Sequence, residues 1–548
     1  MSDHGANLIV KAAKVHTLVP GLDPQRALAV KGDRVIAVSS DPQGLDALAT
    51  ARTVVLDLPG STVLPTFDDT HTHLMFAARG AHDVPVHTAH TIAEFLDLIR
   101  QRAAATPEGE WIRTTTNWQE LNLAERRMPT ADELDQATDR HPVLVKRGGH
   151  NDVVNNVALR LAGITESTPA PPGGVIGRDE NGRLNGRLID SALRLVENFV
   201  PEEDGPQRID GLRLASGDYA ATGIGAVRDC AVSFADYELL QTARDKGLLN
   251  TRVRALIGAF GLTNGAAMNE ALDHMEELRY NADPWLHVWG MKFGIDGGLE
   301  AGATEEPYAC DHSFSGIVMW EPDALVEAVT AVVRRGWRVG THAYGDRAVR
   351  ILLDVYERVL HDNPGLPAGT LVIEHGGLAG PEQRARAVAL GVPVTIQQPL
   401  LHDAAEVERE YWGPERVAEL FPARGWIDQG ALVTGGSDFP VGQFGAMRSV
   451  WGMMTRETVI GVQGPQHAIS YDEAVALHTT NAARLTREET LRGVLAPGRL
   501  GDLTIWDRDP AEGPTETLRD LNPTHTFLGG RLVHGPDTRA SDRCEVLR

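Results

Sequence analysis

The chain has 548 residues, of which 42% are hydrophobic and 23% charged, enough to bury a large core and to exclude a disordered or fibrous protein. Lys plus Arg number 52 and Asp plus Glu 75, giving a formal charge of −23. No basic cluster interrupts that balance, which argues against a nucleic-acid or anionic-membrane partner.

Cys230, Cys310 and Cys544 are scattered and fit neither a disulfide framework nor a CxxC metal site. The N-terminus lacks the basic-then-apolar layout of a signal peptide, and no apolar run approaches the about 20 residues of a membrane span. A cytoplasmic protein acting on a small molecule is the expectation.

In chain order, residues 7–66 read as short β-branched strands broken by Gly, Asp and Pro, and the segments near 502 and 524 repeat that style. The termini, 1–66 and 486–548, are therefore expected to form one composite β-sandwich around residues 67–485. In that middle, eight apolar runs alternate with helical stretches. They are 61–73, 142–150, 224–230, 287–298, 337–346, 370–377, 392–399 and 431–438. Helices are predicted over 322–336 and 345–363, the second with Ala348, Ile351, Leu352, Val355 and Val359 on one face. Eight strands with helical crossovers is the count of a (β/α)8 barrel of TIM type. The long gaps at 74–140 and 160–222 are read as insertions covering the site.

In such a barrel, chemistry collects at the C-terminal strand ends. Polar groups cap the apolar runs there: His71-Thr72-His73, His150, Lys292, His342, His375 and Asp438. Residues i and i+2 of a strand share a side, so His71 and His73 can reach one metal ion. Imidazoles with a carboxylate suit zinc or a similar divalent ion. Each member also has a bland reading. His342 or His375 alone is a core histidine, Asp438 alone caps a turn, and Lys292 pairs with Asp296 or Glu300. The functional reading of Lys292 is a neutral amine that adds carbon dioxide to become a carbamate, whose two oxygens bridge two ions.

These residues and several phrases resemble the amidohydrolase superfamily, and within it the amidohydrolase-3, YtcJ-like branch, whose relatives include N-substituted formamide deformylases. The phrases are HxxxxNxxAL from His150 to Leu159, KFGIDGGLE (292–300), HAYGDRAV (342–349), IEHGG (373–377), GGSDFPV (435–441) and GVLAPGRLGDLTIWD (493–507). The first motif departs from the family pattern, since FDDTHTHL places Asp68 and Asp69 where a small residue and Gly are more usual.

The resemblance implies a binuclear centre with two divalent ions, zinc being the expected metal. His71, His73 and Asp438 would hold the more buried ion, His342 and His375 the more exposed one, and carboxylated Lys292 and a bridging hydroxide both. The implied reaction is hydrolysis of an amide or formamide C–N bond, with Asp438 moving the proton to the leaving amine. His150, Asn155, Asp296 and Tyr308 are candidates for substrate contact, with His150 equally open to a structural role and Tyr308, as an aromatic, more often a core residue. A mononuclear deaminase using His71, His73, His342 and Asp438, and a catalytically silent scaffold, are the competing readings. A homodimer is an expectation from the family alone.

Overall fold

The computed structural model describes residues 5–536, except 149–150, 172–173, 202–203, 260–261, 263–264, 280–282 and 299. Eight strands form one parallel sheet: β1 (Phe67–Thr72), β2 (Ile224–Val232), β3 (Arg252–Gly258), β4 (Leu286–Gly294), β5 (Arg338–Ala343), β6 (Leu371–His375), β7 (Val394–Ile396) and β8 (Val433–Gly435). Each pairs in parallel with the next. At the β8–β1 seam side chains help join the strands. The Thr70 hydroxyl lies 2.8 Å from Thr434 Oγ1 and 2.9 Å from the Gly435 carbonyl, and the Asp438 N–H donates to the His71 carbonyl at 2.8 Å.

The predicted crossover helices are present as Pro322–Arg334 and Asp346–Asp362. The second buries Ala348, Leu352, Val355 and Val359, as their 3–4 spacing requires. It also brings the Tyr356 hydroxyl to 2.8 Å from Thr341 Oγ1 and 3.0 Å from the Val372 carbonyl, pinning the helix to β5 and β6.

The strand assignment needs one exchange. The run 142–150 is not in the barrel, and Arg252–Gly258 takes its place. Among the described residues of 142–150 only Val143–Val145 is strand, and it belongs to a separate five-stranded sheet with Ile112–Arg113, Asn151–Val154, Leu184–Asp190 and Gly174–Arg178. That sheet lies in a unit made of Phe76–Leu212 and Phe439–Gln443, with its own cores around Phe95, Ile99 and Trp118 and around Leu159, Leu188 and Val196. The stretch read as two insertions flanking a barrel strand belongs to one compact unit.

The other unit holds the barrel and both termini (Met1–Met75, Arg213–Asp438, Phe444–Arg548). The two ends meet: Leu8–Val15, Gln25–Lys31, Arg34–Ser39 and Val54–Pro65 join Leu503–Trp506, His525–Leu528 and Arg531–His534 in one continuous seven-stranded sheet. Leu8, Val10, Val30, Val63, Leu503 and Ile505 form its main core. Two buried ion pairs tie β3 to the C-terminal segment. Arg252 donates twice to Asp502, both at 2.8 Å, and Arg254 twice to Glu488, at 3.0 and 2.6 Å. Among the described residues no helix is long and apolar enough to cross a membrane.

Candidate metal centre

The C-terminal ends of β1, β4, β5, β6 and β8 bring six side chains into one neighbourhood. His71, Lys292, His375 and Asp438 are buried, while His73 and His342 are partly so. His71 Nε2 lies 3.4 Å and His73 Nε2 3.1 Å from Asp438 Oδ1, and Lys292 Nζ lies 3.3 Å from His71 Nε2. The His375 ring stands 4.5 Å from the His71 ring and 4.4 Å from the His342 ring, between centroids.

Hydrogen bonds on the far side of the first two rings fix their tautomers. His71 Nδ1 meets Glu374 Oε2 at 2.6 Å, and His73 Nδ1 meets the Cys230 carbonyl. A carbonyl only accepts, and so does the Glu374 carboxylate. Both Nδ1 atoms therefore carry the hydrogens, and both Nε2 atoms present lone pairs. Two lone pairs and a carboxylate oxygen converging within 4.8 Å repel one another unless a cation lies between them. The donor set fits a divalent ion of the borderline kind, such as zinc.

Protonation of His342 and His375 agrees with this fit. Burial drives the His342 imidazole down to about 4, and His375 well below its ordinary value. Both are neutral near pH 7, as ligation requires. His375 Nδ1 is buried with no hydrogen-bond partner among the described residues. His375 (φ 73°) and Asp438 (φ 60°) hold left-handed backbone conformations that cost non-glycine residues about 1–3 kcal/mol each. Such strain is typical of side chains aimed by a site rather than by chain preference.

Around these candidate ligands lies a buried layer. Glu374, fully buried, accepts from His71, from Arg228 Nη1 (3.0 Å) and Nη2, and from Thr395 Oγ1 (2.9 Å). Burial pushes its carboxyl up, but Arg228 and His71 hold it well below the usual range. The two aspartates of the unusual first motif separate in role. Asp69 accepts from the Ser437 hydroxyl (2.5 Å), the Ser437 N–H (3.0 Å) and the His71 N–H (3.3 Å), bracing the turn that presents Asp438. Asp68 pairs with Arg492, away from the ligands.

The candidates for substrate contact fare differently. Asn155 has its polar atoms committed to backbone. It caps the helix Asn156–Leu161 through Ala158 N–H (3.1 Å), accepts from Val143 N–H, and donates to the Thr138 and His141 carbonyls. Asp296 accepts three backbone N–H groups, from Ala303 (2.8 Å), Tyr344 (3.0 Å) and Gly345 (2.9 Å), and burial pushes it up to about 7. It stands 3.5 Å from His342 Nε2, so it shapes the strand-five turn rather than pairing with Lys292. Tyr308 is buried with its hydroxyl on the Gly302 carbonyl at 2.7 Å, among Phe314, Tyr411 and Trp412. All three spend hydrogen bonds on the backbone, since buried polar atoms take the backbone partners nearest to them. His150 lies outside the described residues. Reading the sequence missed Glu374 and Arg228, although a charge inside LVIEH or GAVRDC is itself a signal that burial demands a partner.

Fold and site together define a (β/α)8 barrel with clustered histidine and carboxylate groups at its mouth. A model of the amidohydrolase family matches residues 54–534, and the chain belongs to that family. It is 29% identical over 539 residues to an N-substituted formamide deformylase of Arthrobacter pascens, covering 96% of this chain and 98% of that one. It is 25% identical to the putative amidohydrolase YtcJ of Bacillus subtilis (strain 168), over 95% of this chain and 98% of that one. Among solved structures, an uncharacterized metal-dependent hydrolase from Pyrococcus horikoshii has the same fold, with a TM-score of 0.73 at 22% identity over 93% of this chain and 99% of that one.

Proposed function

We propose that this protein hydrolyses the C–N bond of a small amide or formamide with the help of bound divalent metal. The observation that carries the reading is the convergence of His71 Nε2, His73 Nε2 and Asp438 Oδ1 at the barrel mouth, with both ring tautomers already set for ligation. The similarity to a protein named as a formamide deformylase supports the choice of bond.

His71, His73 and Asp438 would hold one ion, and His342 and His375 a second. Lys292, 3.3 Å from His71 Nε2, would join the two as a carbamate. Bound there, the metal supplies Lewis acidity and lowers the pKa of water towards about 7. The chain's own residues do the rest. Asp438 holds its carboxylate ionised beside His71 and His73, takes a proton from water and passes it to the departing nitrogen. Glu374 and the Cys230 carbonyl keep the two imidazoles from turning away.

Metal content per chain by elemental mass spectrometry, paired with a screen of formamides and amides, tests the reading. Two ions per chain with release of amine and acid is the expected result. One ion with ammonia released from an aminated heterocycle would replace it with a deaminase, and absence of metal with absence of turnover would sink it.

A further inference from the structure

Gln397 is the first residue past β7, and the register sets it between the levels of the candidate ligands His375 and Asp438. Glu374 on β6 pairs with Thr395, and Ile396 pairs with Gly435 on β8. Extending that register sets Gln397 one step beyond the level of His375 and two steps short of Asp438, on the strand between theirs. Thr395 faces the barrel interior, since its hydroxyl reaches Glu374, which holds His71 and Arg228 from β1 and β2. Residues i and i+2 share a side, and Gln397 Nε2 lies 3.1 Å from Thr395 Oγ1. The side chain is therefore inside the barrel, above Thr395.

Which amide atom faces Thr395 follows from the network. Ionised Glu374 only accepts, so the single Thr395 hydrogen goes to it. The Thr395 oxygen must then accept from Gln397, which puts the NH2 group on Thr395 and the carbonyl oxygen at the free end. That oxygen, Oε1, is fully buried and has no hydrogen-bond partner among the described residues. A buried acceptor left unpaired is costly, so its partner is a group that arrives.

Resting on the hydrolase reading above, we infer that Gln397 Oε1 accepts the N–H of the substrate's scissile amide. It makes the enzyme selective for C–N bonds whose nitrogen keeps a hydrogen, and against N,N-disubstituted ones. Gln397 would touch substrate without touching metal, and its fixed orientation would let it orient the leaving nitrogen.

The test compares N-butylformamide with N-butyl-N-methylformamide on the metal-loaded wild type and on Gln397→Met, which keeps the side-chain length without the carbonyl. Wild type should favour the N–H substrate by roughly 10- to 100-fold in kcat/KM, and the ratio should collapse to within a few-fold in the variant. A ratio that survives the substitution, as rejection of the N-methyl group by bulk alone would give, overturns the inference, as does equal use of both substrates by wild type. If neither formamide is hydrolysed, that outcome counts against the hydrolase reading alone, and ligand-observed NMR of the same two compounds still reads Gln397. Preferential binding of the N–H compound that disappears in Gln397→Met supports the assignment; equal binding, with only water on Oε1, ends it. Thermal melting of the variant at the wild-type temperature establishes that the fold is intact.

Discussion

Replacing Glu374 by Gln should damage the protein in two separable ways. The carboxylate neutralises Arg228, and both side chains are at most 1% exposed. Removing one partner of such a pair leaves an uncompensated buried charge and costs about 3–5 kcal/mol. The same carboxylate accepts the Nδ1 hydrogen of His71 at 2.6 Å, and loss of such a support lowers metal affinity by about 10- to 100-fold. The double variant Arg228→Met/Glu374→Gln removes both charges together, which for buried pairs is close to neutral in stability. Its urea midpoint in excess chelator should return most of the way to wild type. Its zinc affinity, measured against a chromophoric chelator, should stay low, because His71 Nδ1 still faces an uncharged amide. A double variant that binds zinc as tightly as wild type would refute the argument that Glu374 orients the ligand. A single variant as stable as wild type would refute the ion-pair argument.

Asp438→Asn keeps the shape of the site but removes the group assigned to proton transfer. Turnover of a genuine substrate should fall by about 10²- to 10⁴-fold in steady-state assays. Exhaustive chelation should abolish activity, and added zinc should restore it, as followed by amine release. Glu408 is fully buried beside Tyr344, and burial pushes its carboxyl up to about 8. Folding therefore takes up a proton between the unfolded value of about 4.3 and about pH 8, so stability falls as pH rises through that window, by at most about 1.4 kcal/mol per unit. Glu408→Gln should remove that slope and raise the melting temperature most at pH 8–9; a parallel melting profile for variant and wild type would contradict it. Leu352→Ala, on the fully buried face of Asp346–Asp362, should cost about 2–5 kcal/mol, read from denaturant unfolding.

The barrel was legible in the sequence because most of its strands are apolar runs ending in a polar group. The one missed, Arg252–Gly258, alternates Arg with Val and Ala and so resembles a surface strand. Its arginines are buried because Asp502 and Glu488, some 240 residues later, pair with them, and no local pattern reveals so distant a partner. The run 142–150 misled for the opposite reason: Val143, Leu144 and Val145 are fully apolar, but they serve another sheet. The candidate ligands were legible because histidine, lysine and aspartate at strand ends have few other uses. Their supports were not. Glu374 sits beside His375 in the chain yet serves His71 across the barrel, and Asn155, Asp296 and Tyr308 carry the right chemistry for a substrate but spend it on backbone.

The terminal sheet sets a timetable for biosynthesis. Strand Val54–Pro65 pairs through its last residues with Leu503–Trp506, so one edge of an early-made strand waits for partners about 440 residues downstream. Loop closure over that distance is slow compared with local helix and hairpin formation. While the ribosome is still adding the barrel, the hydrophobic side chains of Val63 and Leu64 have no C-terminal strand to cover them. Arg252 and Arg254 likewise wait for their counter-charges. The nascent chain is thus most exposed to aggregation, and most dependent on chaperones, until the segment near residue 503 has emerged. Chains stalled before that point should be cleared by proteases rather than accumulate as folded fragments.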